Sequence, residues 1–250
     1  MNAMILAAGK GTRLLPLSEN IPKALVPFHG VPMLELLIKR LIQAGFTSIV
    51  INVHHLFEQI IDFVAKNNAF NIDIQFSIED ELLDTGGGIK KAAPLLGDKA
   101  VLFHNVDILS DISLKDFIAF HDEHEYPVSL AVKDRPTSRS LLFNHQGFLG
   151  GWEYPERNLR IISRNSRGGY TRQAFSGVYI IDPSLFTQFP DSASFSIIPW
   201  ILDLSGKTSV PGYDHSSDQW YDLGSVENIE KTSNDVDLLP DGSPLKILKA

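Results

Sequence analysis

The sequence predicts an α/β fold built around a mainly parallel central sheet, and three observations support this. Short apolar runs alternate with amphipathic segments over residues 1–78, in the order strand, helix, strand, helix, strand. This alternation is typical of βαβ units, whose strands lie parallel. Glycine-rich or polar segments follow several of these strands, and α/β proteins bind ligands at the carboxyl ends of their strands. The length of 250 residues suits one domain or two closely fused halves.

Each element is predicted from its apolar spacing and its end signals. A buried strand begins at Met4, and a helix over Pro32–Ala44 has apolar residues at helical spacing, a proline in its first turn and Gly45 after its end. The other predicted strands cover 48–53, 72–78, 100–104, 128–132, 140–143, 148–152 and 175–182, and the other predicted helices cover 56–67, 86–96, 114–124, 182–186, 196–204 and 226–232. Residues 157–172 carry five arginines and are predicted to form an exposed loop.

The stretch from Gly9 to Arg13 has the composition of a phosphate-binding loop. Two glycines separated by one residue let the backbone turn sharply and bring its N–H groups against a ligand. Lys10, Arg13 and Lys23 add positive charge that suits a polyphosphate. Leu14 stands where a dinucleotide fingerprint needs its third glycine, and the Gly-Lys-Ser/Thr run of a P-loop is absent.

The runs 6–17 (Leu-Ala-Ala-Gly-Lys-Gly-Thr-Arg-Leu-Leu-Pro-Leu) and 22–27 (Pro-Lys-Ala-Leu-Val-Pro) resemble the signature of the sugar-1-phosphate nucleotidyltransferases, also called nucleotide-sugar pyrophosphorylases. Residues 83–89 resemble most the short branch that includes N-acetylmuramate-1-phosphate uridylyltransferases and mannose-1-phosphate guanylyltransferase-like proteins. The resemblance implies a Rossmann-like three-layer α/β/α fold, the nucleotide-diphospho-sugar transferase fold. It also implies that residues 1–250 form a single domain, with a nucleotide-binding half (about 1–110), a sugar-binding half (about 111–235) and a tail (236–250). Hexapeptide repeats are absent, so no appended β-helix domain is expected.

The same resemblance implies a set of site residues. Catalytic roles fall to Arg13, Lys23 and Asp107. Mg²⁺ is the implied cofactor, held by Asp107, which follows a buried strand, and by Asp222, which lies in a Trp-x-Asp-x-Gly pattern. The implied nucleotide-binding residues are Leu6, Ala7, Ala8, Gly9, Lys10, Gly11, Thr12, Arg13, Thr85, Gly86 and Gly87. The implied sugar-binding residues are Asn105, Glu153 and Gly177.

Several local alternatives stay open. Thr85, Gly86 and Gly87 open a helix with exposed amides in the binding interpretation, whereas a flexible hinge is the alternative. Asp107 has a second interpretation as a turn or helix-capping residue, but Asp111 is the better capping candidate for the helix that follows. The adjacent His54 and His55 are predicted at a rim, because neighbours on a strand point to opposite faces and would not share a metal.

The amino-acid composition limits the kinds of molecule that the protein is expected to bind. A net charge of −8 argues against non-specific nucleic-acid binding, and no apolar run reaches the roughly 20 residues that a membrane-spanning helix needs. The sequence lacks cysteine and opens directly on a strand, so no signal peptide is expected and a cytoplasmic location is predicted. The expected partners are therefore a nucleoside triphosphate and a sugar 1-phosphate, acted on by a monomer or small homo-oligomer.

Two other functions compete with this prediction. A glycosyltransferase also uses a nucleotide-binding α/β domain, but Asn105-Val106-Asp107 supplies only half of its usual acidic pair. A non-catalytic subunit that senses a sugar nucleotide would tend to lose the arginine, the lysine or an aspartate, and all of these are present. Among the triphosphates, the resemblance favours UTP over GTP or CTP, while the identity of the sugar or alcohol phosphate stays open.

Overall fold

The computed structural model describes residues 1–239 and 244–246, and in them a ten-stranded sheet lies between two layers of helices. The helices are α1 (Met33–Gln43), α2 (Phe57–Lys66), α3 (Asp84–Leu96), α4 (Leu114–His124), α5 (Ile197–Ser205) and α6 (Val226–Asp235). The strands are β1 (Asn2–Leu6), β2 (Pro27–Phe28), β3 (Val31–Pro32), β4 (Ser48–Val53), β5 (Asp73–Ile78), β6 (Val101–Asn105), β7 (Ile108–Ser110), β8 (Val128–Lys133), β9 (Ser140–Phe143), β10 (Leu149–Tyr154), β11 (Leu159–Ile162), β12 (Thr171–Ile181), β13 (Gly212–Asp214), β14 (Trp220–Asp222), β15 (Val236–Leu238) and β16 (Pro244–Lys246).

The centre of the sheet is parallel, as the sequence predicts. Its strands run in the order β6-β1-β4-β5, with β1 parallel to both β4 and β6 and β4 parallel to β5. The strands β4 and β5, which follow β1 in the sequence, therefore lie on one side of it, and the next central strand, β6, lies on its other side. A crevice opens at such a reversal of strand order, above the carboxyl ends of β1 and β6.

Strand β12 carries the sheet into its second half. It pairs antiparallel with β6, β8 and β9, and the short hairpin partners β10 and β11 extend the sheet beyond β9. The predicted hairpin around residues 144–147 is confirmed. The predicted loop at 157–172 is in part strand, because Leu159–Ile162 forms the edge strand β11. Sequence patterning did not predict this strand, because all four of its residues are exposed and show no alternation between buried and exposed positions.

The core divides into one apolar cluster on each face of the sheet. On β1, Ala3 and Ile5 pack under α1, α2 and α4, whereas Met4 between them packs under α3 and α5. This alternation follows from the period of two along a strand. It produces the predicted three-layer arrangement and confirms the predicted fold class.

A third cluster supports the crevice from one end. Leu14, Leu109 and Leu223 pack together with Val26, Phe28 and part of α6. Leu14 belongs to the glycine-rich loop, whereas Leu109 and Leu223 lie close in sequence to the two predicted metal aspartates. Packing thus fixes the loop against both acidic segments.

The end of the chain is only partly described. Strand β15 pairs with β16, and Val236 is buried. The rest of the predicted tail, residues 240–243 and 247–250, lies outside the described residues. No helix in the described part of the chain combines the length and apolar character needed to cross a bilayer.

Two buried histidines predict a pH dependence of stability. Burial lowers the pKa of His104 and of His215 from 6.5 to about 4. Both are neutral in the folded protein and take up a proton more readily when unfolded. Stability is therefore full above about pH 6.5 and falls as the pH drops toward 4, at a slope of order 1.4 kcal/mol per pH unit for each histidine. Urea unfolding over this interval measures the slope.

The exposed His55 provides a control, because His55→Gln should leave that slope unchanged. A free energy of unfolding that stays constant between pH 6.5 and 4.5 in the wild-type protein would contradict the expected burial effect.

Candidate active site

A cleft of about 550 Å³ occupies the predicted crevice above β1 and β6. One end carries the cations and one aspartate, and the other end is formed by the turn into α3. The residues that line it are Leu6, Ala8, Gly9, Arg13, Lys23, Asn52, Glu79, Leu82, Asp84, Thr85, Asn105, Val106, Asp107 and Ser194.

The glycine-rich loop turns where the sequence predicts. Gly11 has a φ of 67°, and a Cβ at this position would lie 2.9 Å from the Cβ of Lys23. Only glycine tolerates both the backbone conformation and the close approach. The loop then forms a 3-10 turn over Thr12–Leu14, in which the Leu14 amide donates to the Gly11 carbonyl oxygen at 2.8 Å. Gly9 and Arg13 reach the cleft lining, whereas Lys10 and Thr12 are exposed beside it.

Asp107 and Asp222 meet at the same end of the cleft. Asp107 follows β6, and Asp222 ends β14, which pairs antiparallel with β7. The Leu223 amide donates to the Asp107 carbonyl oxygen at 2.8 Å. A Cβ placed on Gly224 would lie 2.6 Å from Asp107 Oδ2 and 2.7 Å from Asp222 Oδ1. Both carboxylates therefore converge on one small volume, although they are far apart in the chain.

Two cations face these carboxylates. Lys23 Nζ lies 2.5 Å from Asp107 Oδ2, and both side chains are largely buried. Arg13 Nη1 lies 3.9 Å from Asp222 Oδ2, and the Arg13 side chain is 64% exposed. An exposed pair at this separation contributes little. Arg13 is thus weakly held, whereas Lys23 is fixed beside the carboxylate.

The two carboxylates fit a magnesium ion that is shared with a substrate. Within the described residues, no group of three or more histidine, cysteine or acidic side chains could enclose a metal. His54 Nδ1 lies 2.8 Å from the carbonyl oxygen of Glu79, and His55 is exposed. Mg²⁺ is commonly bound by one or two carboxylates together with phosphate oxygens and water. Asp107 and Asp222 provide that number of protein ligands.

The glycine-rich start of α3 differs from the expected set of open amides. The amides of Gly86 and Gly87 both donate to the Phe195 carbonyl oxygen, at 2.9 and 3.2 Å. A Cβ at Gly86 would lie 2.2 Å from the Phe195 ring, and one at Gly87 would lie 2.2 Å from the Ala193 carbonyl oxygen. The expectation of free amides was therefore wrong, because a segment from the second half of the chain packs on this turn. Thr85 still lines the cleft, and its hydroxyl accepts from the Ile197 amide at 3.0 Å.

Sequence reasoning missed several of the residues that line the cleft. These are Asn52, Glu79, Leu82, Asp84 and Ser194. Asn52 offered a signal, because it is a polar residue inside the otherwise apolar run of β4. Ser194 offered none, since its position depends on the contact between residues 193–197 and α3.

The predicted sugar-side residues fall into two places. Asn105 lines the cleft. Gly177, which has a φ of 76°, lies against the Asn105 side chain. A Cβ at Gly177 would approach Asn105 Nδ2 to 2.9 Å, so glycine leaves the room that Asn105 occupies. Glu153 is buried outside the cleft lining, where its carboxylate pairs with Arg172 and, at 3.9 Å, with Arg160.

Asp111 has a different role from the expected helix cap. The hydroxyl of Ser113 accepts from the Asp116 amide at the start of α4. Asp111 instead accepts from the Gln219 backbone amide at 2.6 Å and from its side chain at 3.0 Å. Its carboxylate therefore fastens the strand that carries Asp222 against the segment after Asp107.

Comparison with known proteins finds a matching family and similar sequences. Residues 2–141, more than half of the chain, match the family described as nucleotidyl transferase. The chain is 33% identical to N-acetylmuramate alpha-1-phosphate uridylyltransferase from Neisseria meningitidis serogroup B, over 92% of this chain and 96% of that protein. It is 30% identical to mannose-1-phosphate guanyltransferase from Aspergillus oryzae, over 92% of this chain and 62% of the relative.

Solved structures show the same fold. HddC from Yersinia pseudotuberculosis, complexed with GMP-PN, superposes with a TM-score of 0.73 at 26% identity, over 93% of this chain and 98% of that one. A putative glucose-1-phosphate thymidylyltransferase from Bacillus anthracis reaches a TM-score of 0.78 at 16% identity, over 97% and 98% of the two chains. The family match and the Neisseria relative together show that the chain belongs to the nucleotidyl transferase family, whose members described above are named as nucleotidyltransferases of sugar 1-phosphates.

Proposed function

We propose that this enzyme joins UTP to a sugar 1-phosphate, with Mg²⁺, and releases pyrophosphate. The observation that carries the proposal is the convergence of Arg13, Lys23, Asp107 and Asp222 at one end of the cleft. We propose further that residues 1–110 supply the nucleotide side of the site and residues 111–235 the sugar side. A cytoplasmic monomer or small homo-oligomer, without nucleic-acid or membrane partners, is part of the same proposal.

The reaction needs positioning and charge stabilisation more than proton transfer. An oxygen of the sugar phosphate is already anionic, so it forms a bond to the α-phosphorus without a general base. The bond from the α-phosphorus to the bridging oxygen breaks, and the electron pair leaves with pyrophosphate. Two anions must approach each other while negative charge grows on the leaving group. Fixed cations and aligned reactants lower such a barrier.

The described side chains suit these tasks. Arg13 and the backbone of Gly9–Thr12 hold the β- and γ-phosphates, with Lys10 as an outer helper. In this proposal the two phosphates meet at Lys23, which neutralises their charge during attack. Asp107 and Asp222 would hold Mg²⁺, which would supply positive charge to offset the negative charge of the phosphates. Lys23 exchanges its carboxylate partner for phosphate oxygens as the substrates arrive.

The remaining residues fit the two ends of the substrate pair. Leu6, Ala7 and Ala8 lead from β1 into the phosphate loop, and Thr85 lines the end of the cleft that is formed by the start of α3. The nucleobase and ribose belong at that end, where Gly86 and Gly87 shape the turn by packing. Asn105 and Gly177 lie on the sugar side. Glu153 acts there only through the arginines that surround it, since its carboxylate is buried.

UTP is proposed because the Neisseria uridylyltransferase matches nearly the full length of both chains. N-acetylmuramate 1-phosphate is accordingly the first sugar phosphate to test. A specific observation favours GTP as the second candidate, because the HddC structure holds GMP-PN in a chain of similar length and fold. GTP is tested together with mannose 1-phosphate, because two relatives are named mannose-1-phosphate guanyltransferase.

The first prediction concerns the preferred triphosphate. Each of UTP, GTP, CTP and dTTP is incubated with Mg²⁺ and either sugar phosphate, and pyrophosphate release is measured. The highest kcat/KM is expected with UTP, and added EDTA should abolish turnover because the carboxylates alone leave the phosphate charge uncompensated. A higher kcat/KM with GTP than with UTP would show that the enzyme prefers guanine to the proposed uracil. Triphosphate binding without pyrophosphate release would indicate a sensor subunit.

The second prediction concerns the charged cluster. Lys23→Ala and Asp107→Asn should each lower kcat by about 10² or more, because each removes a group that stabilises the transition-state charge. Asp107→Asn keeps the shape of the side chain, so its folded fraction should match that of the wild type in thermal melting.

Lys39→Ala supplies the matched control, since Lys39 pairs with Glu35 on the surface of α1, away from the cleft. It should retain full activity. Turnover near the wild-type level in Lys23→Ala would remove Lys23 from the mechanism.

A further inference from the structure

A buried pair, Asn52 and Glu79, connects the backbone at the phosphate end of the cleft to the backbone at the start of α3. Asn52 is 3% exposed and Glu79 is 2% exposed, and both line the cleft. Asn52 Oδ1 accepts from the Ala7 amide at 2.8 Å. Asn52 Nδ2 donates to Glu79 Oε1 at 2.7 Å. Glu79 Oε2 accepts from the Leu83 amide at 3.1 Å.

The chain of three hydrogen bonds connects backbone that the sheet does not connect. Ala7 lies just beyond the β1–β4 ladder, whose last pair is Leu6 with Asn52. Leu83 lies just before α3, beyond the end of β5. At one end is the entrance to the phosphate loop, and at the other is the turn toward Thr85. The pair therefore fixes the distance between the phosphate end and the proposed base end.

The direction of each bond is determined. A backbone amide only donates and a carboxylate only accepts. Asn52 must therefore turn Oδ1 toward Ala7 and Nδ2 toward Glu79, and no other orientation satisfies both neighbours. The described structure gives Glu79 no lysine or arginine partner, so these donors are what compensate its buried carboxylate. Leaving such a group without its donors is unfavourable.

The third glycine of α3 makes room for this pair. A Cβ at Gly88 would lie 2.6 Å from Glu79 Oε1 and 2.8 Å from Asn52 Nδ2. Gly88 thus differs in function from Gly86 and Gly87, which accommodate residues 193–195. The run of three glycines is explained by two separate close approaches.

We propose that Asn52 and Glu79 are positioning residues for the triphosphate, which set the phosphate loop and the base-side turn at the separation that the nucleotide requires. The proposal rests on the proposed function for the identity of the ligand. It requires no contact between Glu79 and the nucleotide. It goes beyond the cations and aspartates because it assigns a role to a buried acid that takes no part in the charge cluster.

The bond directions allow a test by exchange of the two groups. In Glu79→Gln, the new side chain has only one oxygen, so it can accept from Asn52 Nδ2 or from the Leu83 amide but not from both. Its NH₂ group then faces the other donor. In Asn52→Asp, two carboxylates face each other. In the double variant Asn52→Asp/Glu79→Gln, the aspartate accepts from Ala7 and from the glutamine Nε2, and the glutamine Oε1 accepts from Leu83. All three bonds and the net charge are restored with the roles reversed.

The experiment measures UTP affinity by calorimetry, the KM for UTP against the KM for the sugar phosphate, and the melting temperature of each variant. Each single variant should weaken UTP binding by about tenfold or more, the effect of losing one bond to a charged group. The KM for the sugar phosphate should stay within about twofold of the wild-type value, and the double variant should recover most of the UTP affinity. Glu81→Gln makes the same chemical change at an exposed site on the same turn and should bind UTP like the wild type.

Two outcomes overturn the proposal. Single variants that melt earlier but bind UTP normally would show that the pair only supports the fold. A double variant that binds no better than the weaker single variant would show that the hydrogen-bond chain does not set the affinity. Calorimetry separates this result from the proposed function, because a wild-type protein that binds UTP without releasing pyrophosphate refutes the reaction and leaves the affinity comparison intact.

Discussion

The active-site geometry depends on the short antiparallel pairing of β7 with β14. This ladder places Asp222 opposite Ile108, and the Leu223 amide closes onto the carbonyl oxygen of Asp107. This pairing brings together two carboxylates that are far apart in the chain. Asp111 strengthens the same junction by accepting two hydrogen bonds from Gln219. A partly buried acid, Asp111, thus holds in place the backbone segment that carries the second carboxylate.

Apolar packing connects this junction to the phosphate loop. Leu14 packs with Leu109 and Leu223, so the residue after Arg13 lies against the residues that flank both aspartates. On the other side of the cleft, polar contacts connect the loop to α3 through Asn52 and Glu79. The loop is therefore held from two directions by different forces. Hydrophobic packing sets its distance from the acids, whereas directional hydrogen bonds set its distance from the base-side turn.

The sequence predicts those features whose cause is local. The parallel centre of the sheet follows from apolar periodicity, and the turn at Gly11 follows from a glycine at a position that needs a positive φ. The convergence of Asp107 and Asp222 was expected from resemblance alone, since no local pattern connects them. The amides of Gly86 and Gly87 were misjudged because their partner, Phe195, lies far along the chain. Asn52 and Glu79 were missed for a related reason, because a polar residue in a buried strand does not reveal which group it faces.

The balance of charges explains why the cluster is arranged as pairs. The chain carries a net charge of −8, so its overall field repels a polyphosphate, and cations near the cleft must offset that repulsion over short distances. Unpaired buried lysine would be unfavourable before the substrate binds. Pairing Lys23 with Asp107 avoids this penalty. In the proposed reaction, the same carboxylate would be released for Mg²⁺ once phosphate oxygens reach the lysine. Arg13 is exposed and weakly paired, so under the proposed mechanism it would meet the incoming phosphates first, whereas the largely buried Lys23 would act during the transfer. Under the proposed mechanism, one acid stabilises the lysine in the absence of substrate and would help to bind Mg²⁺ in its presence.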